Sequence, residues 1–238
     1  MSTALDVLAL AAHRDDVEQT CGGTLLKMAE VGHRTGILDL TQGEMGTRGS
    51  AEDRAREAEA AAAILKVSWR RALDIPDARV ENTWENRLKV AGVIREVHPR
   101  VVILPYWKGR HPDHYTCSTL GYEACFLAGL SKLDLSGKPH RPFKIVYATL
   151  YYDIRPSFVV DITNQFEKRL ESVYAYKTQF TDQEAGRSDF PAQAEIRGRV
   201  EAMARFYGML AGVKYAEPFL QKEVGLVEDL TSIPVKSI

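Results

Sequence analysis

Two clusters of imidazoles and carboxylates hold the chemistry open to this sequence, His13-Arg14-Asp15-Asp16 and, far along the chain, Arg110-His111-Pro112-Asp113-His114. Carboxylates crowded together repel unless a cation, a proton or a basic partner sits among them. A divalent metal is the simplest neutraliser. Zinc takes imidazole nitrogen and carboxylate oxygen, and a catalytic zinc keeps three protein ligands with a fourth position open to water. His13, Asp16 and His114 supply such a set. Adjacent residues point in different directions, so Asp15 is left to act as general base on the bound water. Pro112 stiffens the turn between His111 and His114, so one ring can ligate while the other faces substrate. A protonated His111 would stabilise the oxyanion of an attacked amide and then protonate the leaving amine. Asp113 either fixes the tautomer and charge of His111 or backs His114 as a ligand. Arg54, Arg48 and Arg110 are the nearest cations and suit an anionic arm of a substrate. Each residue also has a plainer reading: Asp15 or Asp16 as a helix N-cap, His13 as an ordinary buried histidine, Arg54 as an exposed helix arginine paired with Glu57 or Asp53. Capping does not explain a second cluster of the same composition. Cys21 lies beside the site without an assigned base, which leaves a thiol nucleophile unsupported.

These clusters need elements that bring them together. Val7-Leu8-Ala9-Leu10 and Val101-Val102-Ile103-Leu104 are short continuous apolar runs, the pattern of strands buried on both faces of a parallel sheet. Each releases one cluster at its carboxyl end, where α/β sheets place ligand sites; strands distant in sequence become neighbours where a doubly wound sheet reverses direction. The expected fold is therefore α/β, Rossmann-like and doubly wound, with a mostly parallel sheet flanked by helices. The spacing predicts a helix opening at Gly22-Gly23, a strand over Thr35–Leu40, and a glycine-bearing loop from Thr41 to Gly49 that can wrap a substrate. Ser50 is predicted to cap a helix from Ala51 to about Leu65. A strand at Arg70–Leu73, a turn at Pro76-Asp77-Ala78 and a helix over Trp84–Val97 follow. After the His111–His114 loop comes a helix over about Thr116–Ala128, then strands over Lys144–Tyr152 and Ser157–Asp161. Thr163 is expected to cap a helix through Tyr176, and Pro191 to start another through about Leu210. The polar connection Thr178–Phe190 is a candidate lid, and the tail from Gly212 reads as loop and strand closing the site or a subunit contact.

The chain of 238 residues fits a single domain over 1–238. Its 31 Lys and Arg balance 32 Asp and Glu, so no global charge draws it to nucleic acid or an anionic membrane, and the expected partner is a small molecule. Three cysteines without a C-x-x-C pair argue against a disulfide framework or zinc ribbon. With no leader-like or membrane-spanning run, a cytoplasmic location is expected.

Taken together, Ala12-His13-Arg14-Asp15-Asp16, Gly22-Gly23-Thr24, Thr41–Gly49 and Arg110–His114 resemble the zinc-dependent LmbE/PIG-L N-deacetylases. Arg155–Thr163, Tyr176–Phe180 and Lys214–Phe219 resemble the bacillithiol-biosynthesis branch of that family. The resemblance implies one zinc on His13, Asp16 and His114, Asp15 as base, His111 as oxyanion stabiliser or acid, and Arg54 as a substrate contact, with Glu44 touching the sugar. It implies a homo-oligomer, often hexameric. The implied reaction removes the acetyl group of N-acetylglucosaminyl-malate by attack of metal-bound water on the amide. The alternative is another N-acetylglucosaminide or a chitooligosaccharide. The family usually has proline where Arg14 stands, which bears on the stiffness of the loop. Two rivals from other classes remain, a non-catalytic metal or sugar binder and a dinucleotide-dependent oxidoreductase using Asp39 as its ribose acid. The second lacks the glycine fingerprint and would set pyrophosphate against Asp15 and Asp16.

Overall fold

The computed structural model describes residues 4–150, 152–180 and 193–233. In chain order the elements are β1 (Val7–Ala11), α1 (Asp16–Thr20), α2 (Gly22–Glu30), β2 (Thr35–Asp39), α3 (Ala51–Ile64), β3 (Trp69–Ala72), α4 (Trp84–Val97) and β4 (Val101–Pro105). They continue with α5 (Pro112–Ala128), β5 (Lys144–Ala148), β6 (Phe158–Asp161), α6 (Phe166–Tyr174), α7 (Lys177–Phe180), α8 (Gln193–Ala211) and β7 (Ala216–Leu220). Among the described residues no helix is long and apolar enough to cross a membrane.

The seven strands lie in the order β3-β2-β1-β4-β5-β7-β6. The first five are parallel, and β7 runs antiparallel to both its neighbours. Each residue of β1 is buried, because the pleat sends alternate side chains to two helical layers. Leu8 and Leu10 pack with Val90, Ile94 and Leu120 from α4 and α5, whereas Val7, Ala9 and Ala11 pack with Val17 and Leu25 from α1 and α2. Burial on both faces is what the unbroken apolar runs of the sequence encode.

The crevice follows from strand order. β1 pairs with β2 on one side and with β4 on the other, in register Val7↔Val101 through Ala9↔Ile103. Succeeding connections leave this junction in opposite directions, so the loops after β1 and β4 open into one cleft. Gly23 is required at the wall behind it: a Cβ there would sit 2.9 Å from Glu217 Oε1 and 3.0 Å from Ile162.

Several segments depart from the sequence expectation: a short helix α1 precedes Gly22, and the strand from Lys144 ends at Ala148. The His111 cluster is the start of α5, not a loop before it: Pro112 occupies the first turn and His111 is the N-cap. Proline has no N–H to lose there and its φ is preset for a helix. Thr163 does not cap α6; its N–H and hydroxyl both donate to Asp161 Oδ1, at 2.9 and 2.6 Å, and the helix starts at Phe166. The strand expected in the tail is β7, and it lies inside the sheet between β5 and β6 rather than over the site. Of the candidate lid, residues 181–190 lie outside the described residues.

Candidate active site

β1 ends at Ala11, and the next residues turn sharply into the short helix α1. The turn closes on itself, since the His13 N–H donates to Asp16 Oδ2 at 2.9 Å. Asp15 occupies the N-cap position, yet its side chain makes no capping hydrogen bond and lines the cavity instead. That removes the plain capping reading of this pair.

The helix start of α5 brings His114 against β1's loop. His13 Nδ1 lies 3.2 Å from His114 Nε2, and Asp16 Oδ1 lies 3.1 Å from the same His114 nitrogen. The ligand atoms of His13, Asp16 and His114 all fall within 4.8 Å of one another. The far nitrogen of His13, Nε2, meets two carboxylates, Asp77 Oδ1 at 3.1 Å and Asp113 Oδ2 at 3.4 Å. A carboxylate only accepts, so it holds the proton on Nε2 and leaves the Nδ1 lone pair facing Asp16 and His114. This is the arrangement that carboxylate–histidine–metal sites use.

The charge balance asks for a cation. Asp15, Asp16, Asp77 and Asp113 converge on the site, and among the described residues Arg54 is the arginine or lysine paired with them, its Nη2 3.2 Å from Asp15 Oδ1. Burial opposes protonation of His13, but Asp16, Asp113 and Asp77 outweigh it and push the imidazole up to about 12. His114 is raised against its own burial by Asp16. Burial works against ionised Asp16, and His114 and His13 still hold it well below the usual range. Protons are therefore drawn to the places a divalent ion would fill, and the donor set of two imidazoles and a carboxylate fits zinc.

Asp15 differs from Asp16. Burial raises its pKa, and Arg54 offsets that only in part. His111 stacks on His114 with ring centroids 4.8 Å apart and accepts the Asp113 N–H at Nδ1, 3.2 Å away. Its proton, when neutral, sits on Nε2. Burial lowers the His111 pKa, with His13 and His114 adding to the effect. Asp113 itself turns away from the substrate side: its carboxylate serves His13 and accepts the Val80 N–H at 3.3 Å. The His111 tautomer is set by the Asp113 backbone N–H and its charge favoured by the nearby Asp113, while the Asp113 carboxylate itself faces His13 and not His114.

The cavity of about 290 Å³ is lined by His13, Asp15, Asp16, His111 and His114, with Arg110 on its rim. Arg54 and Glu44 do not line it. Arg54 is buried against Asp15 beneath Gly43, whose φ of +72° lets the loop fold over the guanidinium. Glu44 accepts the backbone N–H groups of Asp77 at 2.8 Å and Gln42 at 3.2 Å, so it ties loop to loop. Arg48 contributes its carbonyl to Gln179 Nε2, 2.9 Å away. Burial raises the thiol pKa of Cys21, which fits a packing role.

Beneath the metal loop lies a buried charge layer. Arg70, on β3, donates to Glu18 Oε1 at 2.7 Å, to Asp39 at 2.9 and 3.0 Å, and to the Arg14 carbonyl at 2.5 Å. Tyr176 also donates to the Arg14 carbonyl. Asp39 is thereby occupied and is not free for a ribose, which disposes of the dinucleotide reading's main residue. The Arg14 side chain donates to Ala51 O at 2.7 Å, tethering this loop to the start of α3, where Ser50 is the expected cap and forms a capping box with Asp53. A second strut comes from β7. Glu217 accepts the N–H groups of Gly23 and Thr24 at 2.9 and 2.7 Å and pairs with Arg169 at 3.0 Å. Arg169 in turn donates to the carbonyls of Glu18 and Gln19 in α1.

Sequence reasoning did not reach Asp77, Arg70 or Glu217. Asp77 had a signal, an aspartate in a tight turn beyond a parallel strand's carboxyl end; the other two had none.

The sequence matches the GlcNAc-PI de-N-acetylase family, PIG-L, over residues 8–125. It is 31% identical over 224 residues to the diacetylchitobiose deacetylase of Thermococcus kodakarensis, covering 89% of this chain and 80% of that protein. A conserved protein of Thermus thermophilus superposes with a TM-score of 0.86 at 39% identity, over 94% of this chain and 98% of the other. The inhibitor complex of N,N'-diacetylchitobiose deacetylase from Pyrococcus horikoshii gives a TM-score of 0.80 at 27% identity, over 90% and 82% of the two chains.

Proposed function

Because the chain belongs to the PIG-L family of N-deacetylases, we propose that it hydrolyses the acetamide of an N-acetylglucosaminide, with short chitooligosaccharides such as diacetylchitobiose as the favoured substrates. The malate glucosaminide expected first from the sequence takes second place, since two relatives, at 31% and 27% identity, are diacetylchitobiose deacetylases. The observation that carries the reading is the convergence of His13, Asp16 and His114 donor atoms within 4.8 Å, with Asp15 and His111 lining the same cavity.

A divalent cation on His13, Asp16 and His114, zinc by the donor set, would polarise the amide carbonyl and acidify a neighbouring water. Asp15 takes the proton from that water as its oxygen adds to the carbonyl carbon; burial favours the protonated carboxyl, and Arg54 keeps it oriented. His111, with Nδ1 occupied by the Asp113 N–H, offers Nε2–H to the carbonyl oxygen as negative charge develops there. A proton passes to the amine as the C–N bond breaks, giving acetate and a free amino sugar. Asp77 and Asp113 hold the His13 tautomer, and Arg110 meets the distal part of the substrate at the rim.

Metal analysis paired with acetate release tests this. Near one equivalent of bound metal, with faster turnover of N,N'-diacetylchitobiose than of N-acetylglucosaminyl-malate or plain N-acetylglucosamine, is the expected result. Preference for the malate compound restores the first expectation, and metal binding without acetate release from any of the three leaves a binding protein.

A further inference from the structure

Lys222, just beyond β7, places its ammonium over three aromatic rings: Tyr122 at 4.2 Å, Tyr147 at 5.1 Å and Trp107 at 5.2 Å from the centroids. These rings belong to α5, to β5 and to the connection between β4 and α5. An ammonium within about 6 Å of a ring face is attracted by its quadrupole. Neighbouring contacts pin the same stretch, with Lys144 Nζ 2.7 Å from Glu223 and the Gln221 N–H 3.1 Å from Ser157 Oγ.

The connection that Trp107 anchors is a wall of the cavity. Pro105, Tyr106, Lys108, Gly109 and Arg110 all line it, and Trp107 alone in that run turns the other way. Its ring meets Tyr147 edge-on, with centroids 4.7 Å apart. Tyr106 is tied to β5 by its N–H to the Ala148 carbonyl at 2.7 Å, and beyond it Gly109 adds no stiffness, so Trp107 is the anchor nearest the Lys108–Arg110 stretch.

We propose that Lys222 is a positioning residue for substrate binding: by gathering Trp107, Tyr122 and Tyr147 it sets the Tyr106–Arg110 wall against the part of the sugar substrate remote from the acetamide. The proposal rests on the deacetylase reading for its activity assay. It assigns the wall to binding energy shared by ground and transition states, so the effect falls on KM and not on kcat.

The test compares Lys222→Met, which keeps an apolar stem without charge, with Lys222→Arg, which keeps a cation over the rings, in the metal-loaded full chain. With N,N'-diacetylchitobiose the expected result for Lys222→Met is a KM raised about three- to tenfold, from loss of a cation–π cluster, with kcat and metal content unchanged; Lys222→Arg returns KM most of the way. An unchanged KM, or a fall in kcat alone, overturns the proposal, as does a KM rise that Lys222→Arg fails to reverse. A second readout stands apart from turnover. In a Trp69→Phe, Trp84→Phe background, acrylamide quenching of the remaining Trp107 should rise on Lys222→Met, and unaltered quenching would equally overturn the assignment. If the wild type releases no acetate while quenching rises as expected, the deacetylase reading fails and the anchoring of the wall by Lys222 stands.

Discussion

Replacing Arg70 with methionine probes the layer that supports the metal loop. The substitution keeps apolar volume and deletes the guanidinium, and with it hydrogen bonds to Glu18, Asp39 and the Arg14 and Ala58 carbonyls. Glu18 and Asp39 are essentially inaccessible to solvent, at 0% and 1% exposure, so water cannot replace the lost partner. Breaking a buried pair by removing one member costs about 3–5 kcal/mol because the other charge is stranded. Taking about 4 kcal/mol, and about 2–4 °C per kcal/mol for a chain of this size, the melting temperature should fall by about 8–16 °C. The pH dependence has a definite sign. With Arg70 gone, Glu18 and Asp39 bind protons more tightly folded than unfolded, so the variant is best off below their unfolded values and loses stability as pH rises. Thermal melts followed by circular dichroism at pH 5.5 and pH 8 should therefore show the larger deficit at pH 8. Adding Glu18→Gln and Asp39→Asn should recover much of the loss, since a neutral polar cluster strands no charge. A deficit under about 2 °C at pH 8, or one that grows towards acid, would refute the view that Arg70 neutralises this layer.

Further substitutions test the site and the layer beneath it. Asp15→Asn should retain bound metal and lose turnover by about 10²–10⁴-fold, whereas His13→Ala should lose metal; comparable turnover in Asp15→Asn would remove Asp15 as the base. Asp77→Asn frees one carboxylate contact from His13 Nε2, and metal affinity measured by competition with a chelator should weaken by about tenfold or more, with no change if the contact to His13 is incidental. Burial pushes the Glu18 carboxyl up to about 7, against the partial relief that Arg70 provides, so the folded wild type holds a proton that the unfolded chain releases above about 4.5. Its contribution to stability is therefore full below that unfolded value and is lost as pH climbs through 7. Denaturant titrations across pH 5–8 should show a decline that Glu18→Gln flattens, and an identical slope in the variant would show that another group is responsible.

Both apolar strands and the clusters they release were legible in the sequence because burial on two faces leaves an unbroken hydrophobic run, and because imidazoles beside carboxylates need a cation. Ser50 and the helix Trp84–Val97 were legible from capping and periodicity. Pro112 was misread: it is as compatible with a stiff turn as with the first position of a helix, and only the packing of α5 on the sheet decides. A strand in the tail was expected, but not its place inside the sheet, because Ala216-Glu217-Pro218-Phe219-Leu220 carries a charge and a proline. Neither is tolerated inside a sheet unless something supplies partners and register, as Gly23, Thr24 and Arg169 do for Glu217. Arg54 illustrates a further limit. Its residue type announces an anion partner but not which one, and in the fold Asp15 is one that it meets.

The placement of β7 also orders the birth of the molecule. As the polypeptide leaves the ribosome, β5 and β6 emerge before the strand that must lie between them, so neither can complete its hydrogen bonds on that side until α6, α7 and α8 have been made. Until then an unpaired edge at Lys144–Ala148 is open to other chains, the kind of interval in which chaperone capture or aggregation is decided. Pulse-labelled hydrogen exchange during refolding should find the β1–β4 pairing protected early and the β5–β7 pairing late; simultaneous protection would show that the sheet closes in one step.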